Sequence, residues 1–160
     1  MAKRLALGFL IAALSILADQ VTKSWMIDLL FDPHRVIAVT PFFNLVLVSN
    51  EGISFGMFET HPEILIVIAL VIVAVLVYWL AKAHHAMVAV ALGLIIGGAL
   101  GNVIDRLRYG AVIDFLDFYW GTWHWPAFNV ADSLIFVGVV YLVAESLFSR
   151  RTSPDKVKDA

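Results

Sequence analysis

The sequence predicts an all-α integral membrane protein. It has four transmembrane helices, a small extracytoplasmic β-hairpin or sheet, and an interfacial aromatic segment. Three observations predict it. Four long apolar runs occupy most of the 160 residues. The composition, 61% hydrophobic and 15% charged, lies far from that of a soluble domain of this length. Between the runs lie one stretch with strand patterning and one dense in aromatic side chains.

The first span covers about 5–27 and follows Lys3 and Arg4. Residues 5–18 also have the outline of a secretory signal. No small-x-small site precedes Asp19, so the segment is expected to remain as span 1. Residues 28–33 make a turn. In 42–58, Val46, Val48, Ile53 and Phe55 flank the turn residues Asn50, Glu51 and Gly52, which predicts a hairpin or curved sheet on the outer surface. The second span, 64–81, contains no charged residue. Its rise as a helix is about 27 Å, close to the roughly 30 Å hydrocarbon core. It is expected to face lipid, with Tyr78 and Trp79 anchoring its inner end. Residues 82–85 form an inner turn. The third span, 86–104, places Gly97 and Gly101 four apart, a spacing that lets helices approach closely. Residues 105–125 set Asp105, Asp114 and Asp117 among Phe115, Phe118, Tyr119, Trp120, Trp123 and Trp125, a composition suited to the membrane–water interface. Pro126 is expected to open the fourth span, 128–148. A polar, disordered tail, 149–160, completes a single membrane domain, 1–160.

Charge distribution orients the spans. Lys3, Arg4, Lys82, Arg150, Arg151, Lys156 and Lys158 fall on one side of four crossings, and the loops on the other side hold Arg35 and Arg108. The basic side is cytoplasmic, so both termini are expected inside. The net charge of −2 adds little. The chain has no cysteine, which excludes disulfides, thiolate nucleophiles and Cys-ligated metals.

Three apolar runs carry polar pairs at helical spacing, all at the outer face: Asp19 with Lys23, Asn102 with Arg106, and Asn129 with Asp132. Ionisable groups at membrane depth are costly, so three pairs at one level point to one site. Asp132 lies in the first turn of the fourth span, where the helix dipole favours an anion. Asn129 shares its face. Two carboxylates in a partly dry site cannot both ionise easily, so one activates water and the other protonates a leaving amine. Asp114 and Asp117 both qualify as the partner, and spacing does not choose between them. Asp132 could instead pair with Arg106 as a structural ion pair, and Asp19 with Lys23 suits structural support. His34, His61, His84, His85 and His124 form no metal motif, and Ser133 with His124 lacks a nucleophile elbow. Asp105, Asp114, Asp117 and Asp132 could form an acidic metal site.

The motifs together closely resemble lipoprotein signal peptidases (signal peptidase II). They are Asp-Gln-Val-Thr-Lys at 19–23, Asn-Glu-Gly-Ile-Ser-Phe-Gly at 50–56, Gly-Gly-Ala-Leu-Gly-Asn-Val-Ile-Asp-Arg-Leu at 97–107, Val-Ile-Asp-Phe-Leu-Asp-Phe at 112–118, and Trp-Pro-Ala-Phe-Asn-Val-Ala-Asp-Ser at 125–133. Ile53 and Ser54 stand where many members have two alanines, which implies a slightly different groove. The resemblance implies an aspartic endopeptidase of the bacterial inner membrane that cuts diacylglyceryl-modified prolipoproteins before the lipidated cysteine. It implies Asp114 and Asp132 as the catalytic pair. Asn50, Gly52, Asn102, Arg106 and Asn129 then line the site, with Asp19 and Lys23 supporting it. The implied partners are the lipidated prolipoprotein, membrane lipids and globomycin-type inhibitors, on a monomer. Neither nucleic acid, metal nor cofactor is expected. Two readings from other classes remain. A small transporter would need polar residues along a path through the bilayer, which span 2 lacks. A non-catalytic chaperone for lipidated helices would need the groove but not both aspartates.

Overall fold

The computed structural model describes residues 1–31, 33, 35–52 and 61–151, the side chains of 149–151 excepted. Four helices and four strands alternate along the chain: α1 (Ala2–Leu30), β1 (Ile37–Thr40), β2 (Phe43–Asn50), α2 (Pro62–Ala81), α3 (Ala86–Tyr109), β3 (Val112–Trp120), β4 (Trp123–His124) and α4 (Val130–Arg151). All four helices are long and apolar enough to cross a membrane.

Helix α3 is the axis of the bundle. It packs against α1, α2 and α4, and buries Leu92 and Ile96 against Ala12 of α1 and Val73 and Leu80 of α2. Small residues let this happen. A Cβ on Gly97 would lie 2.5 Å from the Ala12 carbonyl oxygen, and one on Gly98 would lie 2.5 Å from the Ala131 carbonyl oxygen. Helix backbones therefore touch on both sides of α3, as the glycine spacing predicts. Gly98→Ala is expected to cost about 1–3 kcal/mol, because the obstacle is backbone and cannot rotate away. The check is the thermal unfolding midpoint in detergent; an unchanged midpoint would mean that α3 and α4 do not pack this closely. Helix α2 buries Val73 and Leu80 and leaves most of its other side chains outward, as expected of a lipid-facing span.

The expected hairpin or curved sheet is a four-stranded sheet. Its order is β1-β2-β3-β4, antiparallel throughout. A two-residue turn, Pro41 and Phe42, joins β1 to β2, and the other partner of β2 is β3. The turn expected at 50–52 begins where β2 ends. Its second strand, with Ile53 and Phe55, lies outside the described residues, as does the tail beyond 151. The aromatic stretch expected at the interface forms strands β3 and β4. Its β-branched and aromatic residues suit a pleated, half-buried surface.

Two helix ends also differ from expectation. Helix α3 runs to Tyr109, so Asp105 and Arg106 belong to it. Gly110 ends it with φ +75° and donates its N–H to the Arg106 carbonyl (3.1 Å), turning the chain directly into β3. Helix α4 begins at Val130, not at Pro126. The chain first bridges Phe128 to Leu116, and Asn129 supplies the helix cap. Met26 and Leu30 of α1 pack under the sheet against Phe115.

Candidate active site

Strand β3 and the start of α4 bring Asp114 and Asp132 to one site. The device at α4 is a reciprocal cap. The Asp132 N–H donates to Asn129 Oδ1 at 2.9 Å, and the Asn129 N–H donates to Asp132 Oδ2 at 3.3 Å. Each satisfies an N–H that the helix start leaves open. Asn129 Oδ1 is thereby committed, so its Nδ2 points outward and donates to Asp114 Oδ1 at 2.7 Å. Asn129 is fully buried and bridges the two carboxylates.

Two further amides repeat this logic. Asn50 Oδ1 accepts the Gly52 N–H (2.9 Å), leaving Nδ2 to donate to Asp114 Oδ2 (2.8 Å). That turn needs Gly52, whose φ is +87°. Asn102 Oδ1 accepts from Lys23 Nζ (3.0 Å) and Asn129 Nδ2 (3.2 Å), leaving Nδ2 to donate to Asp132 Oδ1 (2.8 Å). Every oxygen of the two aspartates thus receives an N–H.

Behind the amides lies an ion cluster on α1 and α3. Lys23 Nζ meets Asp19 Oδ2 at 2.8 Å and Asp105 Oδ2 at 2.7 Å, and all three side chains are almost wholly buried. Gln20 Nε2 also donates to Asp105 Oδ1 (2.9 Å). Gly101 makes room here, since a Cβ on it would sit 2.5 Å from Asp19 Oδ2. Arg106 forms no ion pair with Asp132 among the described residues; its Nη1 reaches the Asn102 carbonyl at 3.4 Å, and its buried Nε has no hydrogen-bond partner.

Asp117 lies apart. Its carboxylate accepts from Asn44 Nδ2 (2.9 Å) and contacts His124 Nδ1 (2.8 Å). Burial pushes its carboxyl up, but the hydrogen bonds from His124 and Asn44 outweigh this and hold it below the usual range. Asp114 goes the other way. Burial pushes its carboxyl up to about 6, with the Asp132 charge adding to the rise and the Asn50 and Asn129 hydrogen bonds opposing it. Among the described residues, no three His, Asp or Glu side chains come together as metal ligands.

The site opens two ways. Asp114 lines a groove of about 350 Å³ with Val48, Ser49, Glu51, Pro126 and Ala127. Asp132 lines a second, largely apolar groove of about 450 Å³ with Trp125, Phe128, Phe136 and Val137. The structure brings together Asp19, Lys23, Asn50, Asn102, Asn129, Asp114 and Asp132. It adds Asp105, which the sequence suggests only as a metal ligand. The helical spacing of Asn102, Asp105 and Arg106 puts Asp105 on this face once span 3 is taken past 104.

The model of a family described as signal peptidase (SPase) II matches residues 11–148. A lipoprotein signal peptidase of Burkholderia mallei is 49% identical over 142 residues, covering 86% of this chain and 85% of that one. One from Shewanella oneidensis is 38% identical over 155 residues, covering 93% and 91%. A solved structure described as a bacterial membrane enzyme is similar with TM-score 0.76 at 32% identity, covering 96% of this chain and 93% of that one.

Proposed function

We propose a reaction for this chain, which belongs to the signal peptidase II family: it removes the signal peptide from diacylglyceryl-modified bacterial prolipoproteins, cutting before the lipidated cysteine through an Asp114–Asp132 dyad. The observation that carries the dyad is the Asn129 bridge, which holds two carboxyl groups from separate elements in one buried amide frame. Asp114, with its raised pKa, carries the shared proton and Asp132 is the base. A water gives a proton to Asp132 as its oxygen adds to the scissile carbonyl, whose oxygen takes the proton from Asp114. As the diol collapses, one of its hydroxyls returns a proton to Asp114, the C–N bond breaks and the amine leaves with the proton from Asp132, so the dyad again holds one proton. One water is consumed; the products are a signal-peptide carboxylic acid and the free amine of the lipidated cysteine.

The two grooves support this substrate. A lipidated prolipoprotein offers polypeptide and acyl chains close to the cut, and the two aspartates line one groove of mixed polarity and one largely apolar groove. The scissile peptide must be unwound, and irregular backbone at that depth needs protein around it. In this reading the protein sits in the bacterial inner membrane with both termini cytoplasmic, the site near the periplasmic face, and globomycin-type inhibitors competing for the groove.

The test is incubation of the purified protein in detergent with a diacylglyceryl-modified prolipoprotein, with mass spectrometry of both products. Products that begin at the lipidated cysteine support the reading; no cleavage by folded protein defeats it. Arg106 gives a finer prediction. Its Nε has no partner among the described residues, and its guanidinium, half-exposed beside Asn102, is placed to hold substrate carbonyls beside the cut. Lysine cannot reproduce that planar fork, so Arg106→Lys is expected to raise KM about 10-fold with a smaller change in kcat. Equal KM values for the two proteins would remove Arg106 from substrate binding.

A further inference from the structure

We propose that Lys23 is a positioning residue: by fixing the Asn102 amide it keeps Asp132 an acceptor, and through Asp19 and Asp105 it holds the backbone ahead of both catalytic carboxylates. The inference rests on the dyad reading above.

Three geometric facts carry it. First, an ammonium has three N–H donors, and Lys23 Nζ has three oxygen acceptors: Asp105 Oδ2 at 2.7 Å, Asp19 Oδ2 at 2.8 Å and Asn102 Oδ1 at 3.0 Å. Its hydrogen-bonding capacity is filled, so its direction is fixed. Second, the two carboxylates that Lys23 neutralises each accept one backbone N–H. Asp105 Oδ2 accepts that of Ile113 (3.1 Å) and Asp19 Oδ1 that of Ala131 (3.0 Å). Ile113 immediately precedes Asp114, and Ala131 immediately precedes Asp132. One cation on α1 is thus tied to the backbone of both catalytic segments. Third, the amide orientations of Asn50 and Asn129 are set by backbone N–H groups, from Gly52 and Asp132. Among the described residues, that of Asn102 is set by the side chains of Lys23 and Asn129, of which Lys23 is charged. If the amide turned over, Asn102 Oδ1 would face Asp132 Oδ1, and the base would lose a donor and meet an acceptor.

A purely structural Lys23 would alter how much protein folds, not how fast each folded molecule turns over. The experiment compares kcat and KM of folded Lys23→Met, Asn102→Leu and their double variant with wild type, on a diacylglyceryl-modified prolipoprotein in detergent. A misplaced base is expected to lower kcat about 100-fold in each single variant, with KM little changed. The double variant is expected to fall well short of the product of the two single losses, because both remove the same orientation of Asn102. Lys23→Met leaves two buried carboxylates without their cation, so Asp19→Asn with Lys23→Met, which removes one charge of each sign, runs beside it with the same expectation. Asn102→Leu leaves the ion cluster intact and tests the relay alone. Wild-type kcat in folded Asn102→Leu, or losses that multiply in the double variant, would overturn the positioning role while leaving the dyad reading in place. A wild type that does not cleave would overturn both.

Discussion

Asp132→Asn and Asp114→Asn are each expected to lower turnover of a lipidated prolipoprotein by at least about 10³-fold while the protein still inserts and folds. The size follows from the division of labour. An amide at 132 cannot accept the water's proton, and an amide at 114 cannot deliver one, so either change removes acid–base chemistry that no neighbour can supply. Asn50, Asn102 and Asn129 do not titrate, and Asp117 is engaged with Asn44 and His124. Folding survives because the substitution is nearly isosteric and the amides around the site keep their other partners. It is not free of cost. Each carboxylate oxygen already receives an N–H, so an amide must aim its own N–H₂ at a donor. That mismatch is worth about 1–3 kcal/mol. The check is single-turnover cleavage by each folded variant. Cleavage by Asp114→Asn within about tenfold of wild type would remove Asp114 from the chemistry. If Asp117→Asn were then the inactive variant, the acid would be Asp117.

Much of this site is legible in the amino-acid sequence, and the limits are specific. Asp19 with Lys23, Asn102 with Arg106 and Asn129 with Asp132 each lie one helical turn apart, so burial cost alone marks them. Helical spacing cannot say which strands pair, because the β2–β3 contact joins residues more than sixty positions apart, as in Asn50 with Val112. The strand pattern of β2 is therefore legible, but its pairing with β3 is not. The aromatic count of 112–125 points to the interface and masks the strand pattern of Val112, Ile113 and Phe115. The choice between Asp114 and Asp117 is open in the sequence for a related reason. In a regular strand, positions three apart face opposite ways. Here the Phe115 and Leu116 N–H groups both donate to the Phe128 carbonyl, at 3.1 and 2.8 Å, a bulge that alternation does not foretell. Asp114 and Asp117 consequently line grooves that share Val48, Pro126 and Ala127. Pro126 misleads for a simpler reason: proline favours a helix start, but here the carboxamide of Asn129 and the carboxylate of Asp132 form the cap three residues later.

Stability should carry the signature of Asp114 as pH changes. Its carboxyl titrates near 6 in the folded protein, mainly because it is buried, against about 3.9 in an unfolded chain. Between those values the folded state binds the proton more tightly than the unfolded state does. The stabilisation from this group is therefore fully present below about pH 4 and is lost as pH rises through 6, with a total of order 3 kcal/mol. Asp117 acts in the opposite sense and in a lower window. Its folded pKa is depressed, so its contribution is present above about pH 4 and is lost on acidification. The two groups are thus separable by direction. Wild type minus Asp114→Asn is the informative difference, since the asparagine cannot titrate and groups away from the dyad cancel. Thermal midpoints in detergent from pH 4 to 7.5 are expected to show the wild type losing ground to the variant as pH rises, with the change centred between about 4 and 6. A constant difference would mean that Asp114 is as well solvated folded as unfolded, and the argument for it as the proton carrier would fail. Activity should follow the same group: an acid that must hold its proton gives a rate that declines on the alkaline side, and Asp132 alone, once Asp114 is ionised, has no partner to protonate the scissile carbonyl oxygen.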